Sequence, residues 1–409
     1  MSGSCCSGTT SGRQRKAAGC CGAGEQKGKW KSVRQPSVEN ATCCASAEQQ
    51  HPPAQQAACA CTGAGRVQEE WVTAYVATAA GQIPQASTRL SFSDVMGSWK
   101  CRWSIGRMDY AIEPGLYCVG NPTEGSPVLV TANYKMTFDR LRMELSGLNV
   151  WILVLDTDGV NVWCAAGKGT FGTEELVRRL EAVRLADIVS HRTVILPQLG
   201  ATGVAAHEVA RQSGFRVVYG PVRASDIPAY LAAGMQTTPE MRTMKFTTWD
   251  RLVLTPMELV AALKPSAIAL GILFIMNAVG LGHYGLVDLY ALLGALFVGC
   301  VLTPVLLPWI PGRAFAFKGA LLGLLWAAGV NLIHGFPMMP EYGWMKAAAY
   351  MLILPALSAF CAMNFTGSST YTSLSGVDKE MKIALPAMLI SGGIGIVLLL
   401  VNDFILVFG

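Results

Sequence analysis

Charge is scarce in this chain. Of 409 residues only 14% are Asp, Glu, Lys or Arg, 52% are hydrophobic, and the mean hydropathy is +0.37. Soluble globular domains carry roughly 25% charged residues, so this balance excludes a wholly soluble protein and points to membrane spans. No Lys/Arg block with interleaved aromatics occurs and the net charge is only +5, so nothing supports a nucleic-acid partner. The N-terminus is polar and has no apolar core, so no secretory signal peptide is expected. Evenly spaced cysteines are also missing. Eight of the 13 lie within the first 61 residues, as Cys5-Cys6, Cys20-Cys21, Cys43-Cys44 and Cys59/Cys61, and the other five are scattered. That is no disulfide framework of a secreted domain, and a reducing, cytoplasmic setting fits it better.

What is present divides into three parts, in keeping with a length suited to two or three domains. Residues 1–90 are rich in Ser, Gly, Ala, Gln and Cys with little apolar periodicity, and read as a largely disordered tail in which local order begins near Glu69-Glu70-Trp71. Residues 91–264 read as an α/β domain. Strands are expected at Pro127–Thr131, Val150–Leu155, Thr193–Pro197, Phe215–Tyr219 and Arg251–Leu254. Helices are expected at Thr137–Leu145, Thr173–Ile188, Val204–Ser213 and Asp226–Ala233. That alternation predicts a Rossmann-like, mostly parallel sheet with helices on both faces. Residues 265–409 contain five apolar stretches, about 266–282, 286–307, 314–334, 345–363 and 383–407, each close to the length of a membrane helix. Loop charge sets their expected orientation. Arg242, Lys245, Arg251 and Lys264 precede the first stretch, Arg313 and Lys318 lie between the second and third, and Lys379 and Lys382 lie between the fourth and fifth. Only Lys346 stands on the other side. The α/β domain is therefore expected in the cytoplasm and the C-terminus outside, in a multi-pass protein of the inner membrane.

The segment Asn161-Val162-Trp163-Cys164-Ala165-Ala166-Gly167-Lys168 follows the strand at Val150–Leu155 and the turn Asp156-Thr157-Asp158-Gly159. Asn161 is a strong N-cap residue, which puts Cys164 in the first turn of a short helix. A thiol there sits near the positive end of the helix dipole, which favours the thiolate that ligates metal. No His or second Cys stands near it, so it suits one axial position on a cofactor metal better than a four-ligand cage. The alternative is a small buried Cys filling a core gap. Gly167-Lys168-Gly169-Thr170 is no phosphate loop, because Val162 stands where the first Gly is needed. Asp156-Thr157-Asp158-Gly159 lacks the bidentate Glu of a calcium loop. His207 has no Asp two residues before it, so the His-ligated cobalamin pattern is absent as well. Two further loops end strands: Pro197-Gln198-Leu199-Gly200-Ala201-Thr202-Gly203 and Gly220-Pro221 through Pro228. Ligands of open α/β sheets bind beyond the carboxyl ends of strands, and all three special segments occupy that edge. The vicinal pairs of the tail (Cys5, Cys6, Cys20, Cys21, Cys43 and Cys44) suit a soft ion such as mercury(II), against an incidental low-complexity tail. The polar loop from Asn364 to Gly376 is expected to face the cytoplasm, where it either meets the soluble domain or a partner or is a plain connecting loop.

The octapeptide at 161–168 resembles the cap-helix motif of the mercury-methylating corrinoid membrane proteins, the HgcA family. The loops at 197–203 and 220–228, the five-span C-terminus and the Phe-Thr-Gly-Ser-Ser-Thr-Tyr-Thr-Ser-Leu-Ser-Gly-Val segment at 365–377 resemble that family too. The soluble part is also similar to the cobalamin domain of the corrinoid iron–sulfur protein of acetyl-CoA synthesis, which lacks this cysteine. The resemblance covers roughly residues 92–409 and leaves the tail outside. It implies a base-off cobalamin or related corrinoid with the Cys164 thiolate as lower cobalt ligand. Residues 161–168, Gln198, Leu199, Gly200, Ala201, Thr202, Gly220 and Pro221 would bind the cofactor. Trp163 would pack near the corrin, and Ala165, Ala166 and Gly167 would let the helix lie close to it. It implies a methyl group drawn from a methyltetrahydrofolate-dependent donor and passed to mercury(II), and a ferredoxin-like partner with two [4Fe–4S] clusters that returns cobalt to Co(I). Two other readings stand beside it: a corrinoid methyl carrier of one-carbon metabolism, and a non-catalytic membrane protein that binds soft metals through the tail cysteines with Cys300 and Cys361.

Overall fold

The computed structural model describes residues 69–282, 284–334, 343–369, 371 and 374–408. The tail cysteine pairs, and Thr370, Thr372 and Ser373 of the polar loop, lie outside the described residues. Seven strands form one sheet: β1 (Val72–Thr78), β2 (Gly81–Ala86), β3 (Gly115–Val119), β4 (Val128–Ala132), β5 (Val150–Leu155), β6 (Thr193–Leu196) and β7 (Arg216–Tyr219), in the order β1-β2-β3-β5-β4-β6-β7. β5, β4, β6 and β7 run parallel, whereas β3 lies antiparallel to β5 and β1 antiparallel to β2. The expected mostly parallel α/β architecture is the one observed.

Period-two alternation divides the sheet between two cores. Val128, Val130, Leu153, Leu155, Val194 and Leu196 face one layer, packed by α3 (Val162–Lys168), α4 (Thr173–Ala182) and α5 (Ala206–Ser213). Leu129, Ile152, Val154 and Ile195 face the other, covered by α2 (Lys135–Glu144) and α6 (Ile227–Ala232). Of the earlier helix α1 (Phe92–Arg102), Asp94 is buried and paired with Lys135 at 2.5 Å and Arg142 at 2.6 Å; both cations also hold Asp139. Arg142 reaches Ser87 and Arg89 carbonyls as well, so one buried ionic cluster ties β2, α1 and α2 together.

Several expectations change. Residues 72–86, read as tail from composition, form the β1–β2 hairpin; Ala and Thr blur the alternation of β1, and Pro84 sits in β2. β3 was not foreseen, being five residues set straight after Pro114. The helix expected to Ile188 stops at Ala182, where Arg184 turns left-handed with φ 51°. The strand expected at Arg251–Leu254 is helical instead. Thr247 and Asp250 form a reciprocal capping box, with Asp250 accepting from Thr247 N at 2.8 Å, and this starts α7 (Thr248–Leu252). A short apolar run cannot tell helix from strand by itself.

Five helices among the described residues are long and apolar enough to cross a membrane. They are α8 (Thr255–Ala278); α9 (Leu286–Phe297), which continues through a π-helical turn at Val298–Leu302 into α10 (Thr303–Leu306); α11 (Phe315–Ile333); α12 (Trp344–Asn364); and α13 (Leu374–Phe408). α8 and α13 extend well N-terminal of the apolar stretches, through turns that carry Glu258, Lys264, Asp378 and Lys382. Small residues let α11 and α12 touch: a Cβ on Gly319 would stand 2.5 Å from Ser358 O, and one on Gly323 2.8 Å from Pro355 Cα. The polar loop after α12 packs against the segment before α7, with Phe365 stacked on Phe246 at 6.4 Å and Tyr371 edge-on to it at 5.4 Å.

Candidate functional site

The parallel strands β4, β5, β6 and β7 all end at one edge of the sheet, and four connections meet there. The chain leaves β5 through residues 156–160, and this turn is held from below by Asn133 at the end of β4. Asn133 Oδ1 accepts from Thr157 N (3.1 Å), Thr157 Oγ1 (2.8 Å) and Gly159 N (3.0 Å), while its amide donates to Asp156 Oδ1 (3.2 Å). Glu175 of α4 accepts from Asp156 N at 2.8 Å and is paired with Arg179. Burial opposes ionisation of Glu175, but the Asp156 N–H and the two arginines Arg179 and Arg178 outweigh it and hold its pKa below the usual carboxylate value. Neither Asn133 nor Glu175 was singled out from sequence, because their partners lie 19 to 26 positions away.

So fixed, the turn delivers Asn161 as the cap of α3. Its Oδ1 accepts from Cys164 N at 2.9 Å, and Gly169 closes the helix in a left-handed conformation (φ 87°). Helical periodicity then divides the octapeptide. Val162, Ala165 and Ala166 are buried in the core, while Trp163 (41% exposed), half-buried Cys164 and exposed Gly167 and Lys168 share the outer face. The small size of Ala165 and Ala166 therefore serves packing beneath α3; Gly167 alone of the three small residues keeps the outer face low. A Cβ on Gly167 would meet nothing within 4 Å.

The 197–203 loop packs directly behind α3. A Cβ on Gly203 would stand 2.2 Å from Phe171 O and 3.0 Å from Ala166 Cα, and one on Gly200 would strike the Phe171 ring at 2.5 Å. The 220–228 loop joins it: Gly220 N donates to Leu196 O at 2.8 Å and Gln198 N to Pro221 O at 3.5 Å. Gly200, Gly220 and Pro221 are buried supports; Gln198, Leu199 and Ala201 are half-buried and Thr202 is exposed. The structure thus brings all three sequence-singled segments to one edge. Beside them, Met108 (60%) and Ile105 (61%) are exposed, and the Met108 carbonyl lies 3.2 Å from a Cβ built on Gly159.

The three cysteines of the α/β domain differ sharply. Cys101 (1% exposed) and Cys118 (0%) are core residues; burial pushes the Cys101 thiol up and the Cys118 thiol up to about 11, so both stay protonated near neutrality. Cys164 alone of these reaches solvent. Among the described residues no three His, Cys, Asp or Glu side chains are grouped to hold a metal ion. A planar corrinoid fits this surface on two counts: the outer face of α3 is open above Gly167, and Gln198 Oε1 and Thr170 Oγ1 are buried without a hydrogen-bond partner in the protein. Buried polar atoms of that kind call for a ligand or water.

Part of the chain is similar to known proteins. Residues 96–231 match the family model of the CO dehydrogenase/acetyl-CoA synthase delta subunit. The gamma subunit of the acetyl-CoA decarbonylase/synthase complex of Methanocaldococcus jannaschii is 35% identical over 134 residues, covering 32% of this chain and 27% of the relative. Its counterpart in Methanopyrus kandleri is 32% identical over 139 residues, covering 34% and 30%. Gamma subunit 2 from Methanosarcina thermophila is 34% identical over 128 residues, covering 30% and 27%. The chain spans less than a third of the length of these relatives, and the matched family segment ends before α7, so the membrane-length helices fall outside it.

Proposed function

We propose that the chain is a membrane-anchored corrinoid protein that passes a methyl group to mercury(II), with the Cys164 thiolate as lower axial ligand of the cobalt. The observation that carries this reading is the position of Cys164: a solvent-reaching thiol on a capped helix, outward-facing, at the ligand edge of a parallel sheet. The names of the relatives, subunits of acetyl-CoA decarbonylase/synthase complexes, support a corrinoid-type methyl carrier as the shared ground. The cysteine-bearing helix and the membrane helices support a different acceptor.

A bound corrinoid would supply methyl-transfer chemistry at cobalt, and Cys164 would hold it through a thiolate, which favours transfer as the carbanion equivalent that mercury(II) requires. The protein's own part is positioning. Asn161 fixes the first turn of α3 and with it the direction of Cys164; Asn133 and Glu175 fix the turn that presents Asn161. Gly167 keeps the face beside the thiol low, Trp163 offers an exposed ring beside it, and Gln198 and Thr170 hold polar atoms ready for amide groups of the ligand. Lys168 stands at the exposed rim. Residues 69–247 form the cytoplasmic domain in this reading, with the spans as anchor and the C-terminus outside, after the Lys/Arg excess on one side. A methyltetrahydrofolate-dependent donor and a ferredoxin-like protein with two [4Fe–4S] clusters complete the cycle. The tail pairs from Cys5-Cys6 to Cys43-Cys44 would offer further thiols for mercury(II).

The second reading is a methyl carrier of one-carbon metabolism, which the names of the relatives favour. One assay separates the two. Full-length protein loaded with a methylated corrinoid is mixed with mercury(II), and methylmercury is quantified. The wild type forms it and Cys164→Ala forms none. Full activity in the variant refutes the role of Cys164, and a wild type that holds methyl-corrinoid yet yields no methylmercury is a carrier for another acceptor.

A further inference from the structure

Three helices of the membrane domain line a partly open cavity of about 190 Å³, whose lining includes Glu258 and Pro265 of α8, Leu296 and Cys300 of the second span and Phe360 and Cys361 of α12. We propose that it is a binding site for a thiophilic, two-coordinate divalent cation, ligated by Cys300 and Cys361. It needs neither the corrinoid nor Cys164, and so stands independently of the function proposed above.

The two thiols come from different spans and are brought together by local features. Cys300 sits in the π-helical turn Val298–Leu302, a wide turn of the kind frequent at functional sites. Its neighbour Gly299 allows α12 to approach: a Cβ there would stand 2.6 Å from the Cys361 Cβ. The two cysteines share one buried cluster with Leu296, and Cys300 Sγ donates to Glu258 O at 3.7 Å. Both are free cysteines and nearly inaccessible, at 1% and 4% exposure. The pair of soft donors is thus buried in the wall of the cavity.

Donor number and charge then select the ligand. No third His, Cys, Asp or Glu completes a metal cluster among the described residues, so a tetrahedral ion such as zinc(II) lacks its coordination. A linear bis-thiolate suits mercury(II). On binding, two S–H bonds are lost, two S–metal bonds form and two protons leave. A divalent ion held by two thiolates is thus neutral overall. A monovalent ion such as copper(I) would leave one uncompensated negative charge inside the membrane, which desolvation strongly disfavours. Glu258, whose side chain accepts from Ser368 Oγ at 3.3 Å, lines the same cavity and offers a carboxylate for one departing proton. Cys300 lies six residues before the end of α10 at Leu306, or roughly 9 Å at 1.5 Å per residue. Glu258 lies in the first turn of α8. The site is therefore in the part of the bundle next to the α/β domain.

The test uses the full-length protein, without corrinoid, in detergent. Mercury(II) acetate is added and then competed with an excess of a monothiol, which strips ions from lone cysteines but not from a preorganised pair. Retained mercury is counted per chain in the wild type, in Cys300→Ser, in Cys361→Ser and in the double variant, with thermal unfolding as a check on folding. The wild type should retain one equivalent more than each single variant, the double variant should lose no further equivalent, and zinc(II) should show no such difference. Equal retention in the wild type and the folded single variants overturns the proposal. So does a Cys300–Cys361 disulfide, found by peptide mass in protein kept under reductant. A Glu258→Gln variant leaves both thiols in place and covers the case of misfolded serine variants: it should retain the extra equivalent and release about one more proton per mercury to the medium than the wild type, and unchanged proton release removes Glu258 from the site.

Discussion

Replacing Gly167 by alanine sets the stability of α3 against the use of its outer face. Gly167 lies one turn beyond Cys164 and on the same side, and an added Cβ meets nothing within 4 Å. In the protein alone the substitution should therefore be harmless or stabilising, by up to about 1 kcal/mol from helix propensity. If a macrocycle lies across that face, the new methyl stands beneath it. Overpacking of a fitted contact costs about 1–3 kcal/mol, which lowers corrinoid affinity roughly 5- to 150-fold. Two measurements on one variant decide: thermal unfolding without cofactor, and titration with cobalamin followed in the visible spectrum. The account expects opposite signs, with unfolding unchanged or raised and affinity reduced. Unchanged affinity with raised stability refutes the placement of the corrinoid on α3.

Asn161→Ala removes the cap on Cys164 N, should cost about 1 kcal/mol, and should weaken cobalt–thiolate ligation in the visible spectrum, with Asn161→Asp restoring most of it. Gly203→Ala should displace α3, because its Cβ would collide with Phe171 O at 2.2 Å; reduced cobalamin binding in a protein that still folds is the expected result. Acid should weaken the α/β domain through Asp94. Burial opposes its ionisation, but Lys135, the Ser91 N–H and Arg142 hold its pKa at about 2. A lowered native pKa stabilises above the unfolded value near 4 and is lost as pH falls through 2, so roughly 2 kcal/mol should disappear across that window. Near-UV circular dichroism of the wild type and Asp94→Asn checks this, and an equal acid response in both would exclude Asp94.

Legibility from sequence followed the range of the interaction. The cap on Cys164 spans three residues, so Asn161 and the start of α3 could be read directly. The β4–β7 strands carried dense runs of Val, Ile and Leu and were found within a residue or two. By contrast β1, β2 and β3 form only because partners elsewhere in the chain supply the ladder, and their own residues give weak alternation. The two devices that aim the octapeptide, Asn133 and Glu175, act across 19 to 26 positions and carry no local signature. The roles of Ala165 and Ala166 were read from their size, which is right for close approach but silent about its direction; the approach is inward, to Gly203. The membrane helices were plain from hydropathy, whereas the joining of Cys300 to Cys361 required the spans to be packed.

The visible spectrum of full-length protein reconstituted with cobalamin tests the central claim most directly, wild type against Cys164→Ala. Thiolate ligation predicts a sulfur-to-cobalt band in the wild type that is absent from the variant, which should show a base-off spectrum with no protein ligand. Identical spectra for the two proteins would contradict the assignment of Cys164 to cobalt.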